Sequence, residues 1–490
     1  MSHPLQKSRQ IAERWIIEGD LVLQTPTHLG NGDTDDIVDM PLLLDEATGR
    51  ALLPGTALAG ALRNYLREYR HGSEKWASDE AIEALFGGEK GNNNGNQSAL
   101  IIDDAIGEAP KIELRDGVRI DPITRTAKID FDNGVPRGYK YDMQLLEAGT
   151  TFPIRMELLI SRDADIRQAK QMLALALHGL EAGEIAIGLR KRRGFGECRV
   201  ERWRVTRYDL AQSNDLLAWL AADHPDWGYA ANSRQSDQNI APLLGVTLAN
   251  ISDRRSFCRI RAQFVVDGSI LIRAGFGEQD RGPDTVHLHS SRPGGTRKPV
   301  LSGTSLAGAL RHRAERILRT IGAGQKTPEM IDKMFGPAEI AGRNKQKARA
   351  SRLVVKETVI ENPVHLVQNR IRIDRFTGSV HGTGLFNEQP VFGKNDTLVA
   401  IDLILRNPED AEIGLLLLLL KDLWTGDVSL GGEASIGRGR LKGVSAEIET
   451  PQHNGQPLTI SAAEDGKSLI VNDRNALENY VAALHTEATK

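Results

Sequence analysis

LPGTALAGALR (residues 53–63) returns almost letter for letter as LSGTSLAGALR (residues 301–311). Each copy opens a helix. In the first, Leu58, Leu62, Tyr65, Leu66 and Tyr69 form an apolar stripe at helical spacing, with Arg63 off the stripe. Thr56 is placed to cap this helix, since its hydroxyl can accept from a free backbone N–H. In the second, Thr304 and Ser305 precede Leu306, Leu310, Ala314, Ile317 and Leu318, with Arg311 matching Arg63. Further landmarks recur around both copies in one order. They are a strand-end glycine (Gly30, Gly275), an x-Phe-Gly step (at Phe86 and Phe335), an Arg-x-Ile-Asp-x-x-Thr box (119–124, 372–377) and a Gly-x-Gly loop (194–196, 437–439). Order and spacing kept together mark the duplication of a whole domain.

The chain has 490 residues, too many for one ordinary core, so two or three domains are expected. With 40% apolar and 26% charged residues, its composition is that of a soluble globular protein. The net charge of -3 supplies no global basic field, and a nucleic-acid partner would need a local basic groove. Cys198 and Cys258 form no CxxC pair, which argues against a disulfide framework or a structural zinc site and fits a reducing, cytoplasmic location. The first ten residues contain no apolar signal segment. The apolar run 413–420 is broken by Gly414 and falls short of the ~20 residues a membrane helix needs, so no membrane partner is expected.

In the first half, strands are expected over 15–25, 98–103 and 150–160, and helices at the repeated stretch and over 164–180. An irregular insertion precedes the third strand, and the glycine loop leads into a last one. This order is close to the β-α-β-β-α-β arrangement of a ferredoxin-like domain. The second half repeats it, with strands over 257–266, 353–359 and 398–405 and helices from Thr304 and over 408–424. The expected fold is α+β, two tandem ferredoxin-like (RRM-like) domains over 1–205 and 255–445. Residues 206–254 read as a linker containing one possible helix (209–222). Residues 446–490 read as a C-terminal extension with a strand (468–471) and a helix (474–484).

Three places can carry chemistry. The box around Asp121 and Asp374 lies in a long irregular stretch, which is either functional or a solvated hairpin. The Gly-x-Gly loops either turn tightly into a strand or bind phosphate through backbone N–H groups. Arg190, Arg192 and Arg193 beside Gly194 and Gly196 favour phosphate, and Arg438 between Gly437 and Gly439 does so less strongly. The loop between the first strand and the repeated helix is acidic, holding Asp33, Asp35, Asp36 and Asp39 in one copy and Glu278, Asp280 and Asp284 in the other. Asp39 and Asp284 each stand nine residues after the strand-end glycine. A carboxylate at a fixed offset can be a general base or a metal ligand, although Asp is also simply common in loops.

Taken together, HLG…VDMPLLLD…LPGTALAGALR…LFG, the boxes RIDPIT and RIDRFT, and the glycine loops resemble the RAMP superfamily of CRISPR-associated proteins. The resemblance is greatest to the backbone subunits that polymerise along guide RNA in type III effector complexes. It runs over 15–200 and again over 257–443, which implies a tandem fusion of two backbone subunits, as in III-D-like systems. It further implies a ferredoxin-like core with a β-hairpin thumb insertion that wedges between bases of the guide–target duplex, here bearing Asp121 and Asp374. The implied RNA contacts are His28, Thr56, Arg63 and the first glycine loop in copy one, and Arg273, Thr304, Ser305, Arg311 and the second glycine loop in copy two.

Val38-Asp39-Met40-Pro41 matches the family's target-cleaving motif, and Asp284 matches by offset without the following proline. The sequence also departs from the family at Ala59 and Ala307, where many relatives carry Lys, at Arg273, where His is common, and at Ser302, where the motif has proline. The implied function is guide crRNA binding and endonucleolytic cleavage of complementary target RNA, with a divalent metal ion (Mg2+ or Mn2+) and other effector subunits as partners. A non-catalytic crRNA-binding subunit is the alternative. A crRNA-processing endonuclease using His28 as acid/base is the third.

Overall fold

Alternate burial along one strand organises the first domain. In β1 (Ile11–Leu23), Trp15, Ile17, Leu21 and Leu23 face the core while their neighbours face outward. The computed structural model describes residues 10–32, 38–73, 78–88, 97–121, 123–124, 126–132, 135–162, 165–222, 224, 233–274, 282–337, 349–453, 456–463 and 468–489.

After β1 come α1 (Gly55–His71), α2 (Glu80–Phe86), β2 (Leu100–Ile102), β3 (Ile112–Val118), β4 (Lys140–Leu146), β5 (Thr151–Ser161), α3 (Ile166–Glu181) and β6 (Cys198–Asp209). The main sheet runs β6-β1-β5-β2, the strand order of a ferredoxin-like domain, and its pairings are antiparallel. Leu58, Leu62 and Leu66 of α1 and Leu173, Leu177 and Leu180 of α3 bury their stripes in the same core. Strands β3 and β4 pair outside this sheet as a separate hairpin.

The stretch expected to be a linker is folded. It holds α4 (Ser213–Leu220), β7 (Arg234–Asp237) and α5 (Ile240–Leu243), and β7 adds an edge strand to β6. Glu181 anchors this region, its Oε1 accepting from Trp203 Nε1 at 2.9 Å and from the Ile240 backbone at 2.6 Å.

The second domain repeats the plan with β8 (Phe257–Asp267), β9 (Thr285–His287), α6 (Gly303–Thr320), α7 (Thr327–Phe335), β10 (Leu353–Val355), β11 (Gln368–Ile373), β12 (Val380–Gln389), β13 (Leu398–Arg406), α8 (Asp410–Trp424) and β14 (Arg440–Glu449). Strand β8 lies between β13 and β14, as β1 lies between β5 and β6. Strands β11 and β12 form the second hairpin.

The C-terminal residues extend this sheet through β15 (Leu458–Ala462) and β16 (Leu469–Val471) and end in α9 (Arg474–Thr489). Helix α9 lies on α8 and buries Tyr480, Leu484 and Ala488. This cover explains the unbroken leucine run of α8, whose inner face meets the sheet and whose outer face meets α9. A Cβ at Gly414 would lie 2.2 Å from the Tyr480 carbonyl oxygen, so only glycine permits this approach.

The two repeated helices start differently. Pro54 is the N-cap of α1, and Thr56 stands inside the first turn rather than at the cap. The Gly55 N–H is taken by Asp104 Oδ1 at 2.7 Å. In α6 the cap is Ser302, whose hydroxyl accepts from the Ser305 N–H at 3.2 Å.

Candidate nucleic-acid interface

Asp39 and Asp284 occupy one structural position, each at the root of a hairpin. In copy one Asp39 Oδ2 accepts from the Asp142 backbone N–H on β4 at 2.9 Å. In copy two Asp284 Oδ2 accepts from the Asn387 N–H on β12 at 2.8 Å, across the same separation of 103 residues. The chain beside each aspartate runs parallel to the hairpin strand, through Met40 and Met143 in one copy and Thr285 and Glu388 in the other. Both carboxylates are exposed. Asp33, Asp35, Asp36, Glu278 and Asp280 lie outside the described residues.

The surroundings of the two sites differ. Asp142 pairs across the hairpin with Asp116, whereas Asn387 pairs with Asn369. Burial, a hydrogen bond shared with Asp116 and the nearby charge of Asp39 hold the Asp142 carboxyl above its ordinary range. Lys140 answers this charge, at 3.7 Å from Asp116 and 3.9 Å from Asp142. Among the described residues, no group of three His, Cys, Asp or Glu side chains is arranged to hold a metal ion.

The boxes prove to be turns. Asp121 Oδ1 accepts from the backbone of Ile123 at 2.9 Å and Thr124 at 2.8 Å. Asp374 Oδ1 accepts from Phe376 at 3.0 Å and Thr377 at 2.9 Å. These N–H groups hold both carboxyls below their ordinary range. Asp121 and Asp374 therefore act inward, closing the turns. What the turns present outward is apolar: Ile123 is 89% exposed and Phe376 is 99% exposed. The sequence reading passed over these two residues, whose signal was a large apolar letter at the fifth place of each box.

The first glycine loop is not an open cradle. It packs into the junction between the two domains. A Cβ at Gly194 would lie 2.3 Å from the Glu357 nitrogen, and Arg193 donates to the Phe335 carbonyl at 3.0 Å. Burial, with Arg311 and Arg190 nearby, lowers the Arg193 guanidinium to about 10. Burial beside Arg406 does the same for Arg192. Arg190 hydrogen-bonds the Tyr141 hydroxyl of the hairpin and lies over its ring at 4.5 Å. A Cβ at Gly196 would lie 1.9 Å from the Ile187 carbonyl oxygen.

The second loop also corrects the phosphate expectation. Arg438 is 3% exposed and held by Glu388 at 3.0 Å, Glu433 at 3.2 Å and Gln368 at 2.8 Å. Gly439 abuts the Leu430 carbonyl, while Gly437 has no atom within 4 Å of an added Cβ.

Of the remaining candidates, His28 is 4% exposed, with Nδ1 2.8 Å from the Gln144 carbonyl and its ring packed over Gly30. It is a buried brace of the strand end, which corrects its assignment as a surface contact. Arg273, its counterpart, is exposed and pairs with Glu433 at 3.2 Å. Arg311 is tied to Asp332 at 2.7 Å and to the Gly336 carbonyl. Arg63 is half-buried on α1, Thr56 is exposed, and Thr304 and Ser305 surround the Ser302 cap.

A duplicated ferredoxin-like domain, with an exposed aspartate at the root of each projecting hairpin and an apolar tip on each, defines the class as a tandem RRM-like protein. The RAMP superfamily model matches residues 20–199 and 264–442, and the chain belongs to that superfamily as a two-copy member. RAMP proteins are CRISPR-associated, bind RNA and work in multi-subunit complexes. The comparison with curated proteins gives no match. Among the described residues no helix is long and apolar enough to cross a membrane.

Proposed function

We propose that the chain is a double backbone subunit of a type III, III-D-like effector complex, which binds guide crRNA and cuts complementary target RNA beside each hairpin. The observation that carries this reading is the shared geometry of Asp39 and Asp284. Each is exposed, pinned through one oxygen by a backbone N–H, and set at the root of a hairpin with an apolar tip. An apolar side chain pushed between bases unstacks them and bends the strand. A displaced nucleotide can then reach the in-line geometry in which its own 2′-oxygen bonds to the adjacent phosphorus and the bond to the 5′-oxygen breaks. The aspartate accepts the 2′-OH proton, and the leaving 5′-oxygen takes one from water.

For a divalent ion, the donor set fits one carboxylate from each copy, with RNA oxygens and water as the remaining ligands. When bound, such an ion neutralises charge building up on the phosphate. The burial of His28 counts against the crRNA-processing alternative, which needs an accessible imidazole.

The test is the assembled complex with guide and matched target. Asp39→Ala and Asp284→Ala are each expected to abolish one specific cut, lowering its rate by about 100-fold or more with target binding unchanged. Unaltered cutting in the double variant leaves the non-catalytic crRNA-binding reading instead.

A further inference from the structure

The junction inside the chain is a plug in a socket. The plug is the loop 190–196, aided by Arg115 of β3. The socket is the start of α6 with Lys356 and Glu357, which follow β10. Gly303, the first residue of α6, comes so close to the Arg193 carbonyl that an added Cβ would lie 2.3 Å from it. Arg115 pairs with Glu357 at 2.8 Å, and Glu197, just after the plug, pairs with Lys356 at 3.2 Å.

Duplication provides a second plug and a second socket, which do not meet each other within the described junction. The second plug keeps the backbone shape: φ is 61° at Glu433, 89° at Gly437 and 80° at Gly439, against 58°, 87° and 79° at Arg190, Gly194 and Gly196. Its Ile436, in the place of Arg193, is 53% exposed. The second socket keeps its shape too. A Cβ at Gly55 would lie 2.3 Å from the Ile102 carbonyl, and one at Gly303 would lie 2.5 Å from the Val355 carbonyl. Ile102 pairs with Met156 on β5 as Val355 pairs with Leu403 on β13. That register puts Asp103 in the place of Lys356 and Asp104 in the place of Glu357.

We infer that the copy-one socket receives an arginine-bearing loop of a different protein chain, and that it rejects this chain's own second plug. The occupied junction says what the socket takes, and charge says which plug fits. Socket one offers two adjacent carboxylates where socket two offers Lys356 and Glu357. Plug two offers Ser435 and Ile436 where plug one offers Arg192 and Arg193, and Gln368 stands in the place of Arg115. Self-docking would let Arg440, in the place of Glu197, answer Asp103, but would leave Asp104 facing Gln368 and Ile436. A carboxylate desolvated without a cation disfavours that complex, and a guanidinium at the plug restores it. Like sockets with unlike charges are thus a device for choosing neighbours. This inference rests on the junction geometry and not on the RNA reading.

The probe is the full chain itself, freed of RNA by nuclease so that RNA cannot bridge copies, followed by sedimentation velocity. The wild-type chain is expected to remain monomeric. Rebuilding plug two as plug one, with Gln368→Arg, Ser435→Arg and Ile436→Arg, is expected to tighten head-to-tail association at least about tenfold, and adding Asp104→Arg is expected to reverse it. Ser435→Arg with Ile436→Arg alone, both at exposed positions, is expected to act in the same direction and guards against misfolding of the triple variant. Wild-type chains that polymerise and are dissociated by Asp104→Arg would overturn the inference. So would rebuilt chains that fold, by circular dichroism, and stay monomeric.

Discussion

Asp142 and Asn387 fill the same backbone position and give their neighbouring aspartates different electrostatic surroundings. Asp142 is held above its ordinary range by burial, by Asp116 and by Asp39. A carboxyl raised in the folded state binds its proton more tightly there than in the unfolded chain. Its contribution to stability is therefore greatest in acid and falls as pH rises above the model value of 3.8. Asp142→Asn is expected to flatten that acid-side slope in urea unfolding measured between acid and neutral pH. Copy two already works with asparagine here, so the cut assigned to Asp39 is expected to stay within about tenfold of wild type. Asp39 and Asp284 could be found in the sequence because nine residues separate each from a strand-end glycine. The partners that position them could not, because their main-chain bonds span 103 residues. His28 and Arg438 misled for the opposite reason. A histidine or arginine letter announces charge chemistry, while burial against Gln144, or between Glu388 and Glu433, is set by tertiary packing.

At the scale of elements, the hairpins carry the proposed wedge. Asp121 and Asp374 build the tip turns, and Ile123 and Phe376 ride on them. Ile123→Ala and Phe376→Ala are expected to slow the cut next to the altered hairpin by about tenfold, since losing one stacking side chain costs about 1–3 kcal/mol. Guide binding is expected to hold, and stability to change little because both side chains face water. Single-turnover cleavage of a matched target checks this, and equal loss at both cuts from either substitution would show that the tips do not act locally. Helices α1, α3, α6 and α8 and the central strands were legible because each buries a periodic apolar face. Strand β7 was not. All four of its residues, Arg234, Gln235, Ser236 and Asp237, are exposed, and backbone pairing to β6 holds it without any apolar pattern. Strand β15 was hidden similarly, since of its five residues only Leu458 is buried.

Over the whole molecule, what joins the two domains is a buried ionic junction. Arg115 reaches from the first hairpin to Glu113 on its own strand and to Glu357 of the second domain, and Arg292 approaches Glu357 at 3.0 Å. Glu113 in turn accepts from the Ser290 hydroxyl at 3.1 Å and the Ser291 N–H at 3.2 Å. Burial alone would raise the Glu357 carboxyl, but the two arginines hold it below its ordinary value. The sign for such a carboxyl is opposite to that of Asp142. Its contribution is present above the unfolded value and is lost as pH falls through the lowered folded value. Acid is therefore expected to loosen the junction. Arg115→Met leaves Glu357 desolvated with half its cationic shell, at a cost of about 3–5 kcal/mol. Glu357→Gln leaves two guanidiniums facing a neutral amide and is expected to cost a comparable amount. The double variant removes charge from both sides and is expected to recover much of the loss, because the pair is coupled. Scanning calorimetry at neutral pH is expected to show one transition for the wild type and two for each single variant, with the domains melting apart. A single transition in Arg115→Met, shifted no further than by a surface substitution, would show that the junction is held by apolar packing and that the ions are incidental to it.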